Sequence, residues 1–215
     1  MKEFLDAIRD DHHHFSKGEL ERIAADINPF DFLGVWLKEA IDSGAPEPNA
    51  MMVATVSKDL QPSTRIVYLK DFFDEGLVFY TNYNSQKGQE IALNPKVGLH
   101  FFWHNLERQV RIEGVAKKAP TSLSDKYFES RPKGSQLGAW ASEQSHELED
   151  RSQLVLKAEL MEKEFGGTIP RPEHWGGYVV YPTHYEFWQG RPNRLHDRIC
   201  FQKNDGGWRV YRKNP

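Results

Sequence analysis

Residues 50–81 read AMMVATVSKDLQPSTRIVYLKDFFDEGLVFYT, and this segment determines the predicted architecture. Its apolar residues recur with a period of two, which is typical of β-strands. Strands are predicted at 51–57, 63–70 and 77–81. The link 58–62 is too short to carry a crossover, so the first two strands are predicted to be antiparallel neighbours.

Further elements extend this pattern in both directions. On the N-terminal side, a helix is predicted to begin with Asn28 as its cap and Pro29 in its first turn, and to end at Gly44. The other helices are predicted at 85–93, 122–130 and 147–165. The remaining strands are predicted at 97–103, 109–117, 178–181, 184–189, 198–203 and 208–212. The sequence therefore predicts an α+β, mainly β protein whose antiparallel strands close into a barrel and so remove exposed edges.

The composition excludes several classes of function. The chain has 215 residues, with 28 Lys and Arg against 31 Asp and Glu and a formal net charge of −3, and so lacks the basic character of nucleic-acid binding proteins. No stretch approaches the roughly 18 consecutive apolar residues of a membrane span, and the N-terminus lacks the apolar run of a signal peptide. We expect a cytoplasmic protein that binds neither nucleic acid nor membrane.

The predicted organisation is an N-terminal arm followed by one domain. Residues 1–28 contain the histidine tract 12–14 and show weak periodicity, so they are predicted to form a mobile arm with a short helix. Residues 29–215 contain no internal repeat and no low-complexity linker, which predicts a single domain. No second cluster of ligands accompanies the histidines, so no metal site is predicted. We interpret the single cysteine, Cys200, as a small buried thiol.

Separate cations occur next to strand ends and helix starts, with hydroxyl side chains nearby. The cations are Arg65, Lys70, Lys87, Arg131, Lys133, Arg191, Arg194 and Arg198, and the hydroxyls are those of Thr81, Ser85, Ser135 and Ser145. Arg and Lys at such positions suit phosphate groups, which accept charged hydrogen bonds from them. A single surface arginine is also often solvated or part of a weak ion pair. Spacing alone leaves both interpretations open.

Residues 185–198, YEFWQGRPNRLHDR, are dense in groups capable of function. If this segment is extended, Arg194, His196 and Arg198 lie on one face, because side chains two apart share a face of a strand. Three such groups could line an anionic, planar ligand. The alternative is a polar outer strand with Leu195 facing inward, and the residues alone favour this alternative slightly.

Five segments carry a resemblance to a known family. They are RIVYLK (65–70), FYTNYNSQKGQE (79–90), RQVRIEG (108–114), YFESRPKGSQLGAWASEQS (127–145) and EFWQGRPNRLHDR (186–198). Together they closely resemble the pyridoxamine 5′-phosphate oxidase family, in the family's order, over residues 29–215. The resemblance implies an FMN-binding split barrel, an antiparallel Greek-key-like barrel with flanking helices. It also implies a homodimer with two flavin sites at the interface, and a C-terminal segment that serves dimerisation and substrate binding.

The resemblance also assigns site residues. The residues expected to contact FMN are Arg65, Ile66, Val67, Lys70, Tyr80, Thr81, Gln86, Lys87, Gln109, Gln144, Ser145, Trp188 and Arg198. The residues expected to bind the substrate phosphate are Lys70, Tyr127, Arg131 and Ser135. Arg194 and His196 match the pair next to the substrate ring and are the expected catalytic residues.

The activity implied by the resemblance is the oxidation of pyridoxamine 5′-phosphate or pyridoxine 5′-phosphate to pyridoxal 5′-phosphate. In the family, a hydride passes from the substrate C4′ to flavin N5, and oxygen then re-oxidises the flavin and releases hydrogen peroxide. The cofactor carries the redox step, so the protein's task is to bind and orient.

Two departures from the family's pattern carry expectations of their own. Gln86 stands where the family often has an arginine, which predicts weaker binding of the flavin phosphate. Relatives have an Arg and a Tyr in the arm that folds over the substrate, whereas residues 12–18 here read HHHFSKG. Phe15 keeps the ring without the hydroxyl, and His12 is cationic for only part of the time near neutral pH. The arm is therefore predicted to form a looser lid.

Two rival functions are considered. The first is a split-barrel flavoprotein that reduces a different acceptor, since a fold does not fix its chemistry. Arg131, Ser135 and the pair Arg194 and His196 argue against it, because they match residues that bind the vitamin phosphate. The second is a carrier or sensor of FMN or pyridoxal 5′-phosphate without catalysis. That function requires a broken catalytic set, and the matched set is intact.

Overall fold

The structure, a computed structural model, describes residues 14–20 and 27–215. Most of the predicted arm, with His12 and His13, lies outside the described residues. The described strands are β1 (Ala50–Val56), β2 (Pro62–Tyr68), β3 (Asp71–Phe73), β4 (Gly76–Asn82), β5 (Lys96–Trp103), β6 (Arg108–Lys118), β7 (Trp175–Gln189), β8 (Asp197–Asn204) and β9 (Gly207–Arg212). The described helices are α1 (Pro29–Asp42), α2 (Gln86–Leu93), α3 (Thr121–Ser130), α4 (Lys133–Ala141) and α5 (Arg151–Phe165). The predicted α+β, mainly β class is confirmed.

The strands form a sheet in the order β2-β1-β5-β6-β7-β4-β3, with β8 paired to β7 and β9 paired to β8. The predicted antiparallel pairing of the first two strands is confirmed, because Met51 lies opposite Val67 in the β1–β2 ladder. The β4–β7 and β7–β8 ladders are also antiparallel. Short links and antiparallel ladders thus produce the mainly β architecture with flanking helices.

One strand differs from the prediction because of a proline. The predicted strands 178–181 and 184–189 form the single strand β7. Its Pro182 lies between the ladder to β4, which ends at Val180, and the ladder to β8, which begins at His184. A proline at this position removes no hydrogen bond from either ladder, so the strand continues through it.

Two helices also differ from the prediction. Helix α4 is absent from the sequence prediction because Gly134 and Gly138 weaken its helical pattern. Helix α5 begins later than the predicted residue 147, because the Asp150 carboxylate caps it by accepting a hydrogen bond of 2.6 Å from the backbone N–H of Ser152. The short strand β3 is also absent from the prediction.

The chain divides into two compact units. We call Met1–Pro48, Phe101–Arg111 and His184–Pro215 the terminal unit, and Asn49–His100 and Ile112–Thr183 the central unit. Three strands, β5, β6 and β7, contribute residues to both. The division therefore follows no flexible linker, and the single-domain organisation stays a prediction.

The central unit has a fully buried apolar core. The alternation read in the sequence places Met51 and Val53 of β1 in the interior, each at most 1% exposed. Leu77 and Phe79 of β4 are fully buried as well. Complete burial of side chains this large contributes about 1.5–3 kcal/mol each relative to exposure, so this core fixes the register of the strands.

The terminal unit is built around α1. The Asn28 side chain accepts a hydrogen bond of 2.9 Å from Phe30 N–H, and Pro29 occupies the first turn, which confirms the predicted start of the helix. Its stripe buries Leu33 and Trp36, and the Trp36 ring lies 5.2 Å from that of Phe187. None of the described helices combines the length and the apolar character that crossing a membrane requires.

Two glycine substitutions should change stability in opposite directions. A Cβ on Gly88, in the first turn of α2, would lie 2.1 Å from the backbone oxygen of Tyr83. Gly88→Ala should therefore lower the free energy of unfolding by about 2 kcal/mol or more. A Cβ on Gly34, inside α1, meets nothing within 4 Å. Gly34→Ala should raise the free energy of unfolding by up to about 1 kcal/mol, because alanine is the better helix former.

Urea denaturation of the two variants and the wild type measures both effects. Equal midpoints for Gly88→Ala and the wild type would contradict the close approach of α2 to the preceding turn.

Candidate active site

The central unit contains a cavity of about 640 Å³. It opens between strands β2 and β4 and helices α2, α3 and α4. Its walls combine cations, hydroxyls, amides and aromatic rings, namely Arg65, Ile66, Val67, Tyr68, Lys70, Tyr80, Thr81, Asn82, Lys87, Tyr127, Arg131, Ser135, Gly138, Ala139, Ser142, Gln144 and Trp175. The volume lies in the range typical of sites for small molecules and cofactors.

Lys87 is a buried cation surrounded by neutral oxygen atoms. Its side chain is in the first turn of α2, and the residue is 8% exposed. Its Nζ donates to Thr81 Oγ1 at 3.1 Å, to Ser85 Oγ at 3.3 Å and to Gln144 Oε1 at 2.8 Å. Burial and the nearby charge of Arg65 lower the pKa of Lys87 to about 8, while Glu90 raises it. An anion bound here would supply the charge that these oxygens lack.

The local sequence fixes the position of Lys87. Asn82 ends β4, and its side chain accepts a hydrogen bond of 2.8 Å from Asn84 N–H. Ser85 then caps α2, with its hydroxyl donating to Asn82 O at 2.6 Å and accepting from Gly88 N–H at 3.3 Å. Cationic side chains and free N–H groups at the start of a helix favour a bound anion.

Arg65 is a second cation of the cavity, held from behind by hydroxyl groups. Its Nη2 donates to Ser63 Oγ at 2.8 Å, and its Nη1 donates to Thr55 Oγ1. Glu90 Oε2 lies 3.5 Å from the guanidinium. Burial raises the pKa of the Glu90 carboxyl, but hydrogen bonds from Thr55, Ser63 and Gln86 outweigh this effect and hold the pKa below its ordinary value.

An aromatic wall forms another part of the cavity. The rings of Tyr80 and Tyr127 stack at 4.0 Å, and the ring of Trp175 lies nearly parallel to both, 5.6 Å from Tyr80. Burial, followed by the charge of Asp71, raises the pKa of Tyr80 to about 12, so its hydroxyl stays neutral near pH 7. A flat, apolar wall of this kind suits a planar ligand.

Arg131 lies against this wall with an unused donor. Its guanidinium carbon is 4.5 Å from the Trp175 ring centre. Its Nη1 is buried and has no hydrogen-bond partner in the part of the chain that the structure describes. Burial lowers the pKa of Arg131. A buried guanidinium with a free N–H is costly unless a ligand accepts from it, and a phosphate is a strong acceptor for that geometry.

The cavity brings together most of the predicted site residues. From the FMN set it contains Arg65, Ile66, Val67, Lys70, Tyr80, Thr81, Lys87 and Gln144. From the set for the substrate phosphate it contains Lys70, Tyr127, Arg131 and Ser135. Gln86 and Ser145 belong to the central unit but do not line the cavity. The Gln86 amide donates instead to Glu90 Oε1 at 2.9 Å, and Ser145 lies in a turn with a left-handed φ of 73°.

The remaining predicted residues lie in the terminal unit. They are Gln109, Trp188, Arg194, His196 and Arg198. Gln109 is half-buried in β6. Arg198 binds the buried carboxylate of Glu186 through Nη2, at 2.9 Å and 2.8 Å to its two oxygens. Burial raises the pKa of Glu186, but Arg198 together with the charges of Arg111 and Lys213 outweighs this effect and holds the pKa below its ordinary value.

His196 lies in an aromatic cluster with Phe15 and Trp188. Its ring centre is 5.0 Å from that of Phe15 and 4.6 Å from that of Trp188. With the tautomer assigned from the hydrogen bond, His196 Nδ1 accepts from Arg191 N–H at 3.1 Å. Burial, followed by the charge of Arg194, lowers the pKa of His196. The imidazole is therefore neutral at pH 7, with Nε2–H as its available donor.

The segment before β8 is not extended as predicted. Pro192–Arg194 forms a short 3₁₀ turn, with left-handed φ values of 58° at Asn193 and 63° at Arg194. The prediction that Arg194, His196 and Arg198 share one face of an extended strand is therefore wrong. The alternative with Leu195 facing inward is also wrong, because Leu195 is 69% exposed. Pro192 at the start of the turn accounts for the bend.

The described part of the arm is attached to the terminal unit. The backbone N–H groups of Ser16 and Lys17 donate to Glu107 Oε2 at 2.8 Å and 3.0 Å. Leu20 N–H donates to the Asp197 carboxylate at 3.1 Å. The arm's role as a lid stays a prediction.

Several cavity residues are absent from the sequence prediction. They are Tyr68, Asn82, Gly138, Ala139, Ser142 and Trp175. Trp175 is the most informative of these, since the guanidinium of Arg131 packs against its ring. The sequence alone does not distinguish Trp175 from an ordinary core aromatic residue. Its contact with Arg131 depends on how β7 lies against α3.

The chemistry of the cavity lining would suit a ligand that combines phosphate and planar rings, as a flavin mononucleotide does. Lys87 and Arg65 form one cationic group, and the unpartnered Nη1 of Arg131 forms another beside the aromatic wall. These cations suit phosphate groups, and the flat wall suits planar rings.

Family models match most of the chain. The model described as pyridoxamine 5′-phosphate oxidase matches residues 37–164, and the model described as pyridoxine 5′-phosphate oxidase C-terminal dimerisation region matches residues 175–215. The pyridoxine/pyridoxamine 5′-phosphate oxidase of Thermosynechococcus vestitus is 50% identical over 196 residues, 91% of this chain and 92% of that protein. The protein of the same name from Paraburkholderia phymatum is 47% identical over 212 residues, 98% of this chain and 100% of that protein.

Solved structures agree with these matches. PhzG from Burkholderia lata 383, in complex with tetrahydrophenazine-1-carboxylic acid, superposes with a TM-score of 0.85 at 28% identity, covering 93% of this chain and 100% of that chain. A pyridoxamine 5′-phosphate oxidase-related, FMN-binding protein from Nostoc punctiforme has the same fold, with a TM-score of 0.68 at 15% identity, covering 88% and 100%. The predicted split-barrel fold is confirmed. The chain belongs to the pyridoxamine 5′-phosphate oxidase family of oxidoreductases.

Proposed function

We propose that this protein oxidises pyridoxamine 5′-phosphate and pyridoxine 5′-phosphate to pyridoxal 5′-phosphate, with FMN as cofactor, oxygen as acceptor and hydrogen peroxide as product. The observation that carries the proposal is the cavity of the central unit, whose lining combines the cations Arg65, Lys87 and Arg131 with an aromatic wall. The relatives that bear the name of this oxidase, at about half identity over most of the chain, support it.

Lys87 and Arg65 hold the FMN phosphate in this proposal. Lys87 exchanges one of its neutral acceptors for the charged phosphate, because its three N–H donors are already used by Thr81, Ser85 and Gln144. Arg65 presents its guanidinium already fixed by Ser63 and Thr55, so little side-chain entropy remains to be lost on binding. When bound, FMN supplies the redox chemistry by accepting a hydride at N5 from the substrate C4′ and passing the electrons to oxygen.

Arg131 holds the substrate phosphate, together with Lys70, Tyr127 and Ser135. Its Nη1 donor has no partner within residues 14–20 and 27–215, and its guanidinium lies against the Trp175 ring. Anchoring both phosphates removes most of the freedom of the two reactants relative to each other, which is the main contribution that a protein makes to a reaction carried by a cofactor.

Arg194 and His196 act on the substrate ring in this proposal. His196 is neutral at pH 7 and offers Nε2–H as a donor, which suits orientation of the ring and its substituents rather than removal of a proton. Both residues, with Trp188 and Arg198, lie in the segment matched by the dimerisation region. We therefore propose a homodimer with FMN at the interface, where these residues complete the site.

A second candidate is a flavoprotein of the same fold with a different substrate. The PhzG structure was obtained with a tricyclic carboxylic acid, and it covers nearly all of this chain. The Arg131 donor suits the carboxylate of such a ligand as well as a phosphate, so the names of the curated relatives favour the vitamin phosphates.

An aerobic assay tests the proposed function. The FMN-loaded protein is mixed separately with pyridoxamine 5′-phosphate and pyridoxine 5′-phosphate, while pyridoxal 5′-phosphate absorbance and peroxide are followed together. Equal amounts of both products are expected. A yellow protein that turns over neither substrate would contradict the proposal and favour the second candidate or a carrier.

FMN affinity should fall with pH because of Lys87. With a pKa of about 8, the free amine loses its proton in mildly alkaline solution, and FMN binding must then restore it. The dissociation constant, measured by flavin fluorescence quenching, should rise by up to about tenfold per pH unit between pH 8 and pH 9.5.

Lys87→Arg and Lys87→Met are the matched variants. The arginine stays charged, so its affinity should be flat over this range, and the methionine should bind weakly at every pH. A wild-type curve as flat as that of Lys87→Arg would rule out a lysine that titrates in this range.

Arg131→Met should raise the KM for pyridoxamine 5′-phosphate by about 10- to 100-fold and leave kcat within a few fold. A lost charged hydrogen bond costs roughly 1.5–3 kcal/mol, and the reacting carbon is at the other end of the substrate. Steady-state kinetics measures both constants.

Two controls isolate the phosphate. Lys126→Met removes a cation from the exposed face of the neighbouring helix α3 and should change neither constant. Pyridoxamine without its phosphate should be oxidised equally poorly by the wild type and Arg131→Met. An equal loss with both substrates would show that Arg131 does not read the phosphate.

A further inference from the structure

We infer that Glu90 is a positioning residue of the phosphate site, whose carboxylate orients the hydroxyls of Thr55 and Ser63 so that they hold the guanidinium of Arg65 at the cavity. The inference rests on the proposed FMN site. Neither the resemblance nor the spacing of the sequence assigns a role to Glu90, Thr55 or Ser63.

Glu90 lies beneath the cavity, one turn after Lys87 on α2. The residue is 4% exposed and does not line the cavity. Its Oε2 accepts hydrogen bonds from Ser63 Oγ at 2.7 Å and from Thr55 Oγ1. The same two hydroxyl oxygens accept from the two terminal nitrogens of Arg65. Each hydroxyl therefore links the carboxylate to one arm of the guanidinium.

The direction of these hydrogen bonds depends on the carboxylate. A hydroxyl group has one hydrogen and two lone pairs. Because Thr55 and Ser63 both donate that hydrogen to Glu90, their lone pairs face Arg65. Arg65 has only donors, so it needs that orientation. A carboxylate accepts without donating, and so it is the side chain that can impose the orientation on both hydroxyls at once.

Gln86 fixes the other oxygen of the carboxylate. Its Nε2 donates to Glu90 Oε1 at 2.9 Å, four residues away on the same helix. This bond gives Gln86 a place in the site that requires no direct contact with the flavin. It also fixes the orientation of a glutamine introduced at position 90. The oxygen of that amide would keep accepting from Gln86, and its nitrogen would face the two hydroxyls.

A Glu90→Gln substitution therefore separates positioning from simple charge. Removing a negative charge near Lys87 and Arg65 should by Coulomb attraction alone strengthen the binding of a phosphate. In the positioning account, the new NH₂ group donates to Thr55 and Ser63, so their hydrogens turn toward Arg65 and displace its guanidinium. The two accounts predict changes of opposite sign.

The experiment measures the FMN dissociation constant of the full chain by fluorescence quenching at pH 6.5, where Lys87 is protonated in every protein compared. Glu90→Gln should bind FMN at least about tenfold more weakly than the wild type. Thr55→Val, which keeps the shape and removes one hydroxyl, should weaken binding in the same direction. Glu159→Gln makes the same charge change at an exposed position of α5 and should have no effect.

A double-mutant cycle tests whether Glu90 acts through Arg65. In an Arg65→Met background, Glu90→Gln should cause no further loss of affinity, because the group that it positions is gone. A general loss of structure would instead weaken binding in both backgrounds.

The pH dependence of FMN affinity distinguishes the positioning role of Glu90 from a merely structural role, which would leave that dependence unchanged. The charged groups that act on Lys87 are Arg65 and Glu90, of which Glu90 raises its pKa. The pH at which FMN affinity begins to fall should therefore move lower in Glu90→Gln and stay in place in Thr55→Val.

The outcomes distinguish this inference from the proposed function. Unchanged or tighter FMN binding by both Glu90→Gln and Thr55→Val, with normal binding by the wild type, would overturn the inference and leave the proposed function standing. Absence of FMN binding by the wild type would contradict both.

Discussion

The burial of Lys87 among neutral oxygen atoms is the constraint on which the site depends. Desolvating an ammonium group is costly, and hydrogen bonds to Thr81, Ser85 and Gln144 offset only part of that cost, so its pKa falls to about 8. An anion that binds next to Lys87 recovers part of this cost, so the burial of the cation favours anion binding. The cap at Ser85 and the close approach of Gly88 to Tyr83 hold the lysine in place.

The rest of the central unit arranges other groups around that cation. Arg65 adds a second charge next to Lys87, yet Glu90 beneath them moderates the repulsion while orienting the hydroxyls. Arg131 also lines the cavity, against the face of Trp175, and its Nη1 has no hydrogen-bond partner among the described residues. Buried polar groups are costly when unsatisfied. These cations, with the stacked rings beside Arg131, are the features on which the proposed site for two phosphates rests.

Much of this arrangement is readable in the sequence, and the remainder depends on tertiary contacts. The period-two pattern of 50–81 predicts the strands, because one face of each strand is buried and the other is not. Motif resemblance finds Lys87 and Arg131. It does not find Trp175, whose role depends on how β7 meets α3, or Glu90, which acts through other side chains. The bend at Pro192–Arg194 escapes a reading that assumes an extended chain.

The most direct test of the account is the protonation of Lys87 with and without FMN. Lysine labelled with ¹⁵N at Nζ can be titrated by NMR, with Lys87→Arg used to assign the signal. The account predicts a midpoint near pH 8 for the protein free of FMN and a midpoint well above it once FMN is bound. A midpoint near 10.5 in the free protein, or one that FMN leaves unchanged, would contradict the claim that this buried cation holds the flavin phosphate.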